Sequence, residues 1–188
     1  LPLAHGYPLW VPEPDEALPS EYQDCGLSIG DVGIITPDGG FDFLFNTFLP
    51  ADDPINQSHG VPEGFEPLTC FPRDMRLNSH HHRPGIPITS LGTQSTNIQA
   101  HLSVDIPGVP GTSAGGGVEV IFSRSSGALL MLPDGAARAD YQNISALRQH
   151  AAKNAKSWFQ FINGPLGRET SSLYLITGHD KTCTWESA

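Results

Sequence analysis

Three histidines in succession, His80, His81 and His82, stand in the stretch "NSHHHRPG" and are three of only eight in the chain. Neutral imidazole nitrogens suit zinc, copper or nickel. If the stretch runs extended, successive side chains point to opposite sides, so His80 and His82 share a face and can clamp one ion while His81 points away. A tight site then needs a ligand from elsewhere in the chain. His179 and His5 are the first candidates to complete it, ahead of His59, His101 and His150. The competing reading is a solvated turn that holds no ion; an expression tag is disfavoured because the run is short and internal.

His179 is followed by Asp180 and Lys181, just after an apolar run that reads as a strand. There Asp180 can ligate, can orient an imidazole through its second nitrogen, or can pair with Lys181 in a plain turn. Two further carboxylates, Asp31 and Asp42, are embedded in the apolar stretches "SIGDVGII" and "GFDFLF". Ionised groups there are costly unless bonded, which points to structural hydrogen bonding rather than acid–base work. No nucleophile elbow, phosphate loop, dinucleotide fingerprint or zincin helix occurs, so a non-enzymatic protein is expected. Trp10, Trp158 and Trp185, with the phenylalanines of "FDFLF" and "WFQF", can line a small-molecule pocket between helix and sheet or form an ordinary core.

The elements that would position these groups are unevenly legible. Five prolines before Ser20 rule out a regular helix or central strand, so residues 1–19 are expected as an extended arm anchored by Tyr7, Leu9 and Trp10. Strands through Ile34–Ile35 and Phe41–Phe45 flank the turn Pro37-Asp38-Gly39-Gly40, in which proline fixes one φ and glycine supplies a positive one. On strict alternation Phe41, Phe43 and Phe45 share a face. From Phe71 to Gly117 the chain is loop-rich, with "GIPITSL" and "AHLSVDI" as its best strands. "VEVIFS" and "ALLML" read as a second hairpin, followed by a turn at Pro133-Asp134-Gly135. One strong helix, "SALRQHAAKNAKSWFQFIN", presents Ile144, Leu147, Ala151, Ala155, Trp158, Phe159 and Ile162 on one face, with Asn143 as its cap and Gly164-Pro165 as its end. "SLYLITG" is the last strand, with a turn at His179-Asp180 before "CTW". The expected architecture is α+β in a single domain over residues 1–188: a mainly antiparallel sheet, the long helix packed on one face, the proline-rich arm and the long middle loop outside.

The chain has 188 residues and a formal net charge of −10, so its field repels nucleic acid, which is excluded as a partner. No apolar run is long enough for a membrane span, and no membrane partner is expected. Three widely spaced cysteines, Cys25, Cys70 and Cys183, are expected as buried reduced thiols. The sequons at Asn56 and Asn143 would matter only after secretion. An opening Leu1 rather than Met is read as the loss of an initiator, a signal or a larger region. A cytoplasmic setting is expected, with secretion as the alternative.

The segments "GYPLWVPEP", "SIGDVGIITPDGGFDFLFN", "VPEGFEPL", "LPDGA", "AAKNAKSW", "NGPLGRE" and "LYLITGHDKTCTW" together resemble a module of mushroom-forming basidiomycete fungi that has no established activity as a family. The resemblance covers most of the chain outside residues 71–117 and extends to the pink chromoproteins of coloured mushrooms. It implies a small indolone-type chromophore together with a metal ion. His179 departs from the family pattern and adds a ligand candidate here. The combined expectation is a non-enzymatic protein binding a transition metal through His80, His82, His179 and His5, with a small conjugated ligand among Trp10, Trp158 and Trp185. The alternative is a metal-free recognition module of a larger fungal protein.

Overall fold

The computed structural model describes residues 7–86, 88–89, 99–100, 118–119 and 129–187. In chain order the elements are α1 (Ser20–Cys25), β1 (Asp31–Ile35), β2 (Phe41–Asn46), α2 (Pro54–Gln57), β3 (Met75–His82), β4 (Ile88–Thr89), β5 (Gln99–Ala100), β6 (Val118–Glu119), β7 (Leu129–Met131), β8 (Ala136–Tyr141), α3 (Ile144–Asn163), β9 (Tyr174–Leu175), β10 (Gly178–Lys181) and β11 (Glu186–Ser187). The mixed α+β class and the single long helix are as expected. In place of one dominant sheet, the strands form small sheets in the orders β2-β1-β9, β10-β8-β3, β11-β7-β4 and β5-β6. Strands of two to eight residues explain the difference, since short segments interrupted by glycine and proline cannot build one wide sheet. No described helix is long and apolar enough to cross a membrane.

The chain divides into two compact units, Leu1–His81 with Ala136–Thr182, and His82–Gly135 with Cys183–Ala188. The first unit is organised by the expected hairpin. Thr36 N–H donates to the Gly40 carbonyl across the turn at 3.0 Å, and Gly39 adopts φ +89. The register pairs Val32 with Phe45 but Gly33 with Phe43, so Leu44 is an extra residue, a β-bulge. Strict alternation therefore fails. Phe45 packs edge-on against Trp158 at 5.4 Å between ring centres, whereas Phe43 lies against Tyr22 at 4.4 Å. Gly33 is required opposite them, because a Cβ there would strike the Phe41 ring.

Helix α3 begins at the predicted cap, with Asn143 Oδ1 accepting from Ala146 N–H, and ends at Gly164. Its Trp158 and Ile162 bury against Val32, Leu44 and Phe45. One turn beyond its start, Leu147 joins Ile29, Ala139 and Tyr141, so one amphipathic face serves both the β1–β2 hairpin and β8.

The arm has no regular element between residues 7 and 19. Tyr7 and Trp10 are exposed rather than buried anchors, and the buried anchor is Leu18. Trp10 is instead held by its backbone, whose N–H donates to the Gly39 carbonyl at 3.0 Å. The cysteines also differ from expectation: Cys25, Cys70 and Cys183 are free and exposed. Asn56 is fully buried, bonded to Asn46, Leu49 and Pro50, so that sequon is closed to glycosylation in the folded chain.

In the second unit β7 pairs antiparallel with β4 and β11, and β5 with β6. The tip expected between "VEVIFS" and "ALLML" lies outside the described residues. Leu132 is buried, and its carbonyl accepts from the N–H groups of Gly85 and Gly135 at 3.0 Å each.

Candidate metal centre

The histidine run is neither a turn nor a loop; it is the C-terminal end of β3. Hydropathy could not show this, because "MRLNSHHH" has no apolar alternation and most of the strand is exposed. It forms the edge of the sheet β10-β8-β3, where one flank faces solvent and apolar residues are not required. The residues expected as a turn at His179-Asp180 are likewise in a strand, β10, which pairs His179 with Ala139 and Asp180 with Arg138.

This pairing sorts the candidate ligands by face. Ala139 and Tyr141 of β8 are buried in the core, so the paired His179 shares the inward face, and Asp180 shares the outward face with Arg138. His81, His82 and Asp180 each offer a ligand atom, and these atoms all lie within 4.8 Å of one another. The two imidazoles are half-buried.

Of the four histidines first chosen from the sequence, then, His82 enters this group, and so does Asp180, which was weighed there as a possible ligand. His80 is exposed and outside it. His179 is on the opposite face; burial first, then Lys181, pushes its pKa down to about 4, and its Nδ1 is buried with no hydrogen-bond partner. His5 and His101 lie outside the described residues. His150 is half-buried with its ring 5.9 Å from that of Trp158, a packing position. His81, expected to point away, joins the group. Asp180, weighed as a ligand, as an orienting group or as the partner of Lys181, is paired with Arg138.

Arg138 Nε–H donates to Asp180 Oδ1 at 2.6 Å and its Nη2–H to Oδ2 at 2.7 Å. The hydrogen bond to Asp180 is the main reason that the Arg138 pKa is raised, with Asp140 contributing. Arg138 thereby fixes the orientation of the Asp180 carboxylate, as the partners of metal-binding carboxylates do. The same guanidinium also opposes a cation. Two like unit charges about 4 Å apart cost about 4 kcal/mol at an effective dielectric near 20.

The backbone of His82 is fixed from the turn that the sequence marked at Pro133-Asp134-Gly135. Gly135 has φ +76, and a Cβ on it would lie 2.5 Å from the His82 carbonyl oxygen. Only glycine fits there. Thr184 Oγ1 donates to Asp134 Oδ2 at 2.7 Å and braces the same turn.

No protein-family model matches this chain, and no curated protein or solved structure is similar to it.

Trp10 and Trp185 are exposed, while Trp158 lines an apolar cavity of about 160 Å³ between α3, β1 and β9, with Val32, Phe159 and Leu175. A larger cleft of about 430 Å³ is lined by Glu66, Phe71, Asp74, Tyr141 and His150 among others. None of His81, His82 and Asp180 lines it.

Proposed function

We propose that this protein is a non-enzymatic metal-binding module in which His81, His82 and Asp180 hold a zinc, copper or nickel ion, with a small conjugated ligand of the chromoprotein kind beside it. The observation that carries this is the convergence of two imidazoles and one carboxylate within 4.8 Å. Nitrogen and oxygen donors at such spacing suit borderline divalent ions, and three protein ligands leave a coordination position open for a further donor. The fork from Arg138 supplies the outer-shell support that metal-bound carboxylates usually have.

The rival is the metal-free recognition module. The Arg138–Asp180 pair favours it, since the pair is complete without an ion and its guanidinium repels one. Elemental analysis of protein purified without a metal-affinity step decides between them, together with zinc, copper and nickel titrations of the metal-free chain. A single ion per chain, lost in both His82→Ala and His81→Ala but kept in His80→Ala, supports the metal module. Substoichiometric metal with no measurable titration heat refutes it.

A further inference from the structure

The larger cleft, of about 430 Å³, lies wholly within the first compact unit and has no part in the metal reading. One wall is the segment from Glu66 to Asp74; the other is the end of β8 with the first turns of α3. The two are tied where Gln142 N–H donates to the Asp74 carbonyl at 2.7 Å. A volume of this size is in the range of small-molecule sites. His150 lines the cleft, and its Nε2 is buried with no hydrogen-bond partner. A buried polar atom left unpaired is costly, so the cleft has a polar group waiting for an occupant.

The charges of the lining select against ions. Glu66 and Asp74 oppose an anion and Arg73 opposes a cation, while Lys153, 3.4 Å from Glu66, brings these four groups to zero net charge. Ionised carboxylates only accept hydrogen bonds and a guanidinium only donates them. A ligand that satisfies both must carry donors and acceptors side by side. His150 narrows the choice. Burial first, then Lys153, lowers its pKa against the opposing Glu66, so the ring is neutral at pH 7 and Nε2 donates or accepts according to tautomer. A hydroxyl serves in either case, because it does both. Phe71 adds an apolar surface: its ring is 45% exposed and is steadied by the Arg73 guanidinium, 4.8 Å from the ring centre. We propose that this cleft binds a neutral saccharide, whose hydroxyls meet Glu66, Arg73, Asp74 and the Nε2 of His150 while the C–H face of a sugar ring lies on Phe71.

The test uses the full chain, with maltose, cellobiose and lactose as probes. Each is titrated while the imidazole signals of His150 are followed by NMR, assigned by their loss in His150→Gln. At least one disaccharide should shift these signals saturably, with a Kd that holds as salt rises from about 0.05 to about 0.5 M, because an uncharged ligand is not screened. Phe71→Ala should weaken that binding by about tenfold, as expected for loss of an aromatic contact. If Phe71→Ala does not fold, Phe71→Leu serves, keeping apolar bulk but not the flat ring, and binding should again weaken. Inorganic phosphate and choline, as anion and cation controls, should leave the His150 signals in place. No saturable shift with any of the three sugars, binding of undiminished strength in the Phe71 variants, or a shift produced by phosphate or choline at lower concentration than by any sugar overturns the proposal. None of these outcomes touches the metal module, whose ligands are outside the cleft.

Discussion

Tyr22 donates its hydroxyl to Asp31 Oδ2 at 2.9 Å across a site closed to water, with Tyr22 3% and Asp31 0% exposed. Ser28 N–H and Asn46 Nδ2 donate to the same carboxylate at 2.6 and 2.7 Å, so three donors ring one buried acid. This ties α1, β1 and β2 together at the start of the hairpin. Removing one donor should be costly, because the acceptor stays buried. Tyr22→Phe is expected to lower stability by about 1.5–3 kcal/mol, the range for a hydrogen bond to a charged group. Urea or thermal denaturation measures it, and a change within error would mean that the phenol is not needed.

The same carboxyl should leave a mark on the pH dependence. Burial raises the Asp31 pKa from 3.8 to about 6, despite the opposing hydrogen bonds and Lys181. An acid whose pKa is higher in the folded chain binds more protons there than in the unfolded chain. Its contribution therefore favours folding below pH 3.8 and is lost as pH rises from 3.8 to about 6, with a total near 3 kcal/mol. Denaturation of the wild type and of Asp31→Asn across pH 4–7 isolates this term, since other titrating groups cancel in the difference. The stability gap between the two should shift with pH in that window and flatten above it. A constant gap would place the folded pKa near its ordinary value.

What the sequence made legible, and what it did not, follows from how each residue carries its signal. The α3 face and the Pro37–Gly40 turn were readable because helical periodicity and turn chemistry are local. Asp31 was readable because a charge in an apolar strand has to be bonded. The bulge at Leu44 was not, since alternation has the same appearance with or without an extra residue until the partner strand is known. β3 and β10 escaped because an exposed edge strand and a four-residue strand of polar residues carry no apolar pattern. That is why His80 was preferred to His81, and His179 was ranked ahead of Asp180: face assignment depends on which strands pair.

The bulge has its own consequence. Because Phe43 and Phe45 pack on different clusters, only Phe45 touches Trp158. Phe45→Ala should destabilise the chain by about 3–5 kcal/mol, as expected for a buried aromatic, and should change the Trp158 emission. Phe43→Ala should destabilise without that spectral change. Equal spectral effects of the two would place both rings on one face.

Cys70 provides a chemical probe of the charge on Asp74. Although Cys70 is exposed, partial desolvation of its thiol raises the pKa, and Asp74 raises it further. Since the thiolate is the nucleophile, Asp74→Asn should speed labelling of Cys70 by a disulfide reagent at neutral pH, followed by mass spectrometry of the modified peptide. An unchanged rate would mean that Asp74 does not act on the thiol.

Gly135 links a turn that was legible to a site that was not. Its φ of +76 and the closeness of the His82 carbonyl leave no room for a methyl group, so Gly135→Ala must strain the turn, push His82, or both. A non-glycine residue held at such a φ costs about 1–3 kcal/mol, and a shift of His82 also misplaces a metal ligand. The substitution should therefore lower stability by that amount and weaken zinc binding further than the stability loss alone accounts for. The two effects separate by comparison with Gly64→Ala. That residue also has a positive φ, +69, but nothing lies within 4 Å of where its Cβ would be. Gly64→Ala should lower stability and leave zinc affinity unchanged. If both substitutions weaken zinc equally, the turn does not position His82, and the support for the metal centre comes from β3 and β10 alone.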